Sequence, residues 1–139
     1  MSVVTKRFTV CTKGDTDIID ITEKVQGFLS TLGIDDGLIN VSIAGSTAAI
    51  TTCEYEPGLV KDLKDFFQKI IPQSHSYHHN VAWADGNGHA HVRSSFIGTS
   101  KSFSFSGKAL NLGTWQQIIL IDFDNRSRSR EIIVQIVGE

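Results

Sequence analysis

No run in this sequence approaches the ~20 apolar residues of a membrane span. The opening Met1-Ser2-Val3-Val4-Thr5-Lys6-Arg7 also lacks the apolar core of a signal peptide. Those two absences place the expected protein in the cytoplasm, away from any membrane. Cysteine is scarce: Cys11 and Cys53 do not make a disulfide framework, and both read as small buried residues in a reducing compartment. There are only two prolines and no linker, repeat or low-complexity tract, so the 139 residues read as one domain, 1–139, with a single core. An excess of positive charge is missing as well. A formal net charge of −2 argues against nucleic acid as an obligatory partner.

What is present is a concentration of histidine. All five, His75, His78, His79, His89 and His91, fall between residues 75 and 93, together with Asn80, Asp85, Asn87 and Arg93. Side chains suited to metal binding or proton transfer near neutral pH thus share one segment. Its spacing matches no zinc signature, since it has neither His-Glu-x-x-His nor paired Cys-x-x-Cys. His89 and His91 share a face if the chain there is a strand and diverge if it is a helix.

The remaining elements follow from periodicity. Residues 3–12 are rich in β-branched and aromatic side chains, a strand signal. Asp20 with Glu23 offers a reciprocal helix start. Ile21, Val25, Phe28, Leu29 and Leu32 then share a helical face, and Gly33 suits a left-handed stop. Ile39, Val41 and Ile43 alternate with Asn40 and Ser42, and a further strand runs through Thr47–Tyr55. Glu56-Pro57 opens a helix whose stripe, Leu59, Val60, Leu63, Phe66, Phe67, Ile70 and Ile71, reads as core and not as a base-stacking platform. Val92, Phe96 and Ile97 suggest a short amphipathic helix ending at Gly98. Strands are expected at 101–106, approaching 121, and at 132–137. Several strands and two helices without regular βαβ alternation give an α+β fold with mainly antiparallel pairing. Arg126, Arg128 and Arg130 recur every second residue. They either grip phosphate or carboxylate groups or form a charged edge paired with neighbouring aspartates.

Certain residues carry a family resemblance: Ser46-Thr47-Ala48-Ala49-Ile50-Thr51 followed by Glu54, Tyr77-x-His79-Asn80, Gly88-His89-Ala90-His91, Leu112-Gly113-Thr114-Trp115-Gln116-Gln117, Asp122-x-Asp124-Asn125-Arg126 and the terminal Val137-Gly138-Glu139. Across nearly the whole chain this order resembles the YjbQ family. The resemblance implies a two-sheet antiparallel β-sandwich with two main helices, assembled as a homotrimer. It also implies a thiamine-phosphate synthase-like activity, the label such proteins often carry. The family pattern has a histidine before the two hydroxyl residues of the first corner; Gly45 stands there in this chain. His79 and His91 match the other two family histidines, and Cys53 replaces an asparagine.

Two functions follow. In one, a metal-assisted enzyme acts on a small phosphorylated molecule. His79 and His91 bind a divalent ion such as zinc or move protons, Glu54 orients an imidazole or serves as base, and Asn87, Gly88 and Arg126 hold the phosphate. His89, Asp85, Glu54, Cys53 or water fills the coordination gap left at Gly45. In the other, the chain is a non-catalytic metal- or metabolite-binding homotrimer that has lost a family histidine.

Overall fold

The structure, a computed structural model, describes residues 1–139. Eight strands form two antiparallel sheets. The larger contains β1 (Ser2–Thr12), β8 (Arg128–Gly138), β3 (Gly37–Ile43), β5 (Ser100–Ser106) and β6 (Ala109–Leu110), in that order. The smaller has β7 (Gln117–Asp122) between β2 (Asp17–Asp20) and β4 (Ala48–Cys53). Alternation works as the sequence suggests in β3, where Ile39, Val41 and Ile43 are buried and Asn40 and Ser42 half-buried. In β7 it disappears, because Ile118 to Ile121 are all buried. Ile118 and Leu120 join the core between the sheets, whereas Ile119 and Ile121 meet a second apolar cluster under the helices. The smaller sheet is therefore a middle layer covered on both faces.

Four helices complete the fold: α1 (Thr22–Ser30), α2 (Pro57–Ile70), α3 (His78–Trp83) and α4 (Gly88–Ile97). The α1 start is simpler than the expected reciprocal cap, since Asp20 Oδ1 accepts from the Thr22 backbone N–H and hydroxyl at 2.9 and 2.6 Å. Gly33 does not adopt the left-handed conformation expected of it. Glu56 caps α2 by accepting from the N–H groups of Gly58 and Leu59 at 2.7 and 2.8 Å, which holds its carboxyl below the usual range.

Three sequence expectations are corrected by layer geometry. Helix α2 touches the middle sheet along a narrow line through Val60, Leu63 and Phe67, so Phe66 remains 53% exposed and is not core. The inward face of α4 carries Ala90, Arg93 and Ser94, while Val92 and Phe96 face out. Small residues let this helix approach β4 closely, and Ser94 Oγ donates to the Ala48 carbonyl at 2.6 Å. Cys11 is exposed because it occupies an outward position of β1. No helix is long and apolar enough to cross a membrane.

Candidate metal centre

The histidine segment folds as helix, tight loop, helix. Ala84 at φ 53° and Gly86 at φ 68° reverse the chain between α3 and α4. Asn80 Oδ1 on α3 accepts from the Gly88 N–H at 2.8 Å, tying the two helix starts together. Gly88 must lack a side chain, since a Cβ there would collide with Tyr77 Cβ and lie 2.7 Å from its Cγ. This close approach puts the His79 and His91 rings 4.2 Å apart, tilted by 41°. Asp85, from the loop, brings Oδ1 to 3.4 Å from His79 Nδ1.

One ligand atom from each of His79, Asp85 and His91 lies within 4.8 Å of the others. His79 Nδ1 is buried yet makes no hydrogen bond, its approach to Asp85 having poor hydrogen-bond geometry. Burial holds the His91 imidazole below its ordinary pKa and the neighbouring His79 adds to the effect, against the opposing charges of Asp85 and Asp124. A neutral imidazole is the form that ligates metal. Two imidazoles and a carboxylate, one nitrogen an orphan, fit a divalent transition ion. Asp85 is exposed and both histidines half-buried, so the group opens to solvent.

Several expected participants lie elsewhere. His89, expected as a third metal ligand, is 1% exposed and turned into the fold, because residues two apart on a helix diverge. Burial and nearby Arg93 lower its pKa. Glu54 is exposed just beyond the far end of β4, roughly six residues or about 20 Å from the Ala48 end near His91. It therefore neither orients an imidazole of this group nor acts as its base. Cys53 shares that far end, and burial, helped by Asp20 and Glu54, pushes its thiol pKa up. Nor do Asn87 and Gly88 form a phosphate cradle: the Asn87 N–H donates to Asp85 Oδ1 at 3.1 Å, and the Gly88 N–H is taken by Asn80. Of the arginines, only Arg126 keeps its guanidinium free of hydrogen bonds and ion pairs. It is exposed, with its backbone N–H on Asp124 Oδ1 at 3.2 Å.

Sequence reasoning offered the arginine–aspartate pairing but missed that it is buried and linked to Thr47 and Asn87. Arg128 and Arg130 share the inward face of β8 and meet Asp124 and Asp122 at 2.9 and 2.7 Å. The aspartate-pairing alternative holds for both of them. Asp124 also accepts from Thr47 Oγ1 at 3.0 Å and Asn87 Nδ2 at 3.3 Å. Burial alone would raise its pKa; the bonds from Arg128, Thr47 and Asn87 outweigh that and hold it below the ordinary value. Asn87 Oδ1 accepts from the Asn125 N–H, and Asn125 Nδ2 donates to the Asp85 carbonyl at 2.7 Å. Asp124 thus positions the Asp85 loop through two asparagines. The every-second-residue spacing of Arg128-x-Arg130 carried the pairing; its burial, and its links to Thr47 and Asn87, were not legible from that spacing.

A family model described as UPF0047 protein YjbQ-like matches residues 6–139. The chain belongs to that family. A UPF0047 protein of Methanothermobacter thermautotrophicus is 34% identical over 139 residues, covering 100% of this chain and 95% of its own. YugU of Bacillus subtilis, also a UPF0047 protein, is 34% identical over 128 residues, or 91% and 93% of the two chains. A solved YbjQ-like protein of unknown function from Sulfolobus solfataricus superposes with a TM-score of 0.94 at 34% identity, covering 99% of both chains. A YjbQ/UPF0047 structure from Clostridium acetobutylicum gives 0.87 at 32% identity, covering 95% of this chain and 99% of the other. These likenesses fix the YjbQ-like α+β fold. In this YjbQ-like chain, the Gly45-Ser46-Thr47 corner is joined to the loop between α3 and α4 through Asp124, which accepts from both Thr47 and Asn87.

Proposed function

We propose that this UPF0047 protein binds a divalent transition ion, zinc foremost, through His79, Asp85 and His91, and uses it on a small phosphorylated molecule. The observation that carries the reading is the convergence of one donor atom from each of those residues within 4.8 Å, in a group where His79 Nδ1 is buried without a hydrogen-bond partner. A bound ion would supply Lewis acidity and an activated water. The chain's own groups do the rest. His91, kept neutral by burial, presents a lone pair, and Asp85 contributes negative charge from a loop anchored by Asn125. The exposed side of the group admits the substrate, and Arg126 is the one arginine whose guanidinium has no protein partner. The family resemblance extends this reading to a thiamine-phosphate synthase-like transfer.

Homotrimeric assembly belongs to the same proposal. It is supported by three large apolar side chains left exposed on α3 and α4, Val81, Trp83 and Phe96, which are 84%, 73% and 69% exposed.

The distance of Glu54 and the engaged donors of Asn87 and Gly88 favour a second reading, a non-catalytic metal- or metabolite-binding trimer. Zinc titration calorimetry on untagged, chelator-treated protein tests the shared step. One equivalent per chain is expected, with affinity reduced at least roughly tenfold by His91→Ala or Asp85→Asn. Unchanged affinity in both variants would remove the site. Zinc binding without turnover of any phosphate ester would leave the non-catalytic reading.

A further inference from the structure

On the inward face of β8 the half-buried Arg128 is followed by the buried Arg130 and then by Ile132, Val134 and Ile136, so a buried guanidinium closes the end of an apolar row. Two of its three nitrogens are committed. Nε donates to Asp122 Oδ2 at 2.7 Å, and Nη2 donates to Asp122 Oδ1 at 2.8 Å and Thr47 Oγ1 at 2.6 Å. Nη1 makes no hydrogen bond, yet it is not among the polar atoms sealed from solvent without a partner.

What Nη1 faces is the gap at Gly45. A Cβ built on Gly45 would lie 3.0 Å from Nη1 and within 4 Å of nothing else. Gly45 does not have a positive φ, so its backbone does not require glycine. What glycine supplies there is room. Gly45 and Ser46 are exposed, and the next residue, Thr47, shares Asp124 with Asn87, at 3.0 and 3.3 Å, so the gap adjoins the segment that carries Asp85 and His91.

We infer that Arg130 Nη1, reached through the gap at Gly45, binds the phosphate group of the substrate beside the His79–Asp85–His91 group. This rests on the metal-site reading and names where that reading places the substrate's anion. A phosphate has oxygens pointing in divergent directions, so one can meet Nη1 while another faces the imidazole pair. Asp122 and Asp124 already balance Arg128 and Arg130, so the anion is held by directed, charge-assisted hydrogen bonds and not by net charge. The site where the family pattern has a histidine has thus exchanged a side chain for access to a buried cation.

The probe is inorganic phosphate, titrated into chelator-treated protein and followed by phosphorus NMR, with zinc affinity measured separately on the same preparations. Wild type is expected to bind phosphate. Gly45→Ala, which crowds Nη1 at an exposed position with ordinary backbone, should weaken phosphate by roughly tenfold or more while leaving zinc affinity unchanged. Wild type that binds zinc but no phosphate, or phosphate affinity indifferent to Gly45→Ala, overturns the subsite and leaves the metal reading intact. Phosphate binding that Gly45→Ala removes from a chain unable to bind zinc supports the subsite and sinks the metal reading instead.

Discussion

Adjacent phenylalanines on α2 should differ widely in what they contribute to stability. Phe67 is 3% exposed and meets the fully buried Phe123 edge to face, with ring centroids 4.9 Å apart. The guanidinium of Arg93 lies 5.9 and 5.8 Å from the two ring centres. Phe67→Ala removes the ring and leaves a cavity between α2 and the middle sheet, a loss of about 3–5 kcal/mol. About 0.5–1.5 kcal/mol of that reflects the aromatic pair. Phe66 is 53% exposed, so its truncation forfeits only part of a side-chain transfer energy and leaves no closed cavity, about 1 kcal/mol or less. Urea unfolding followed by far-ultraviolet circular dichroism is the suitable assay, because both tryptophans, Trp83 and Trp115, are more than 70% exposed and report the core poorly. Losses for the two variants within about 1 kcal/mol of each other would refute the assignment of Phe67 as the sole deep anchor of α2.

Stability of the metal-free protein should fall in acid. His89 and His91 have folded pKa values below the ordinary histidine value, so the unfolded chain takes up protons first as pH falls through that range. Asp124, depressed below the carboxylate range, adds a further loss at lower pH; flat urea midpoints between about pH 7.5 and about pH 5 would contradict this. Gly88→Ala should displace α3 from α4 through Tyr77, costing about 1–3 kcal/mol and weakening zinc binding together, read by unfolding and calorimetry. In sedimentation equilibrium the protein should have three times the 15.3 kDa mass of one chain; the mass of a monomer or a dimer would refute the trimer.

The parts of this fold legible in the sequence are those where one periodicity dominates. Alternation in β3 and the continuous apolar run of β7 identify a half-buried and a doubly covered strand, and Glu56-Pro57 marks the start of α2. Burial on α4 was illegible because its contact is made by Ala90 and Ser94, while its large apolar residues face outward. Hydrophobicity cannot register a helix seated through small side chains. In the site, clustering of histidines located the segment, and His79 with His91 proved adjacent. His89 was misassigned because a spacing of two has opposite meanings on strand and helix. Asp124 escaped notice because its importance comes from neighbours as distant as Thr47, 77 residues away in the chain.

The two ends of the sandwich are closed by different means, and the difference bears on function. At one end Gly37 pairs with Gly138, so close that a Cβ on either would collide with opposing backbone, and no charge is buried. At the other, two aspartates that are 0% exposed are matched to Arg128 and Arg130 and bridged by Thr12 and Thr47. Burying such pairs costs desolvation that their attraction does little more than offset, so stability alone gives no reason to prefer them to an apolar closure. They do fix Asp124 where it organises Asn87 and Asn125, and through them the loop carrying Asp85. They also aim Arg130 at the gap above Gly45. The charged end is thus the one built to hold polar groups at set positions, and the imidazole pair lies directly beside it.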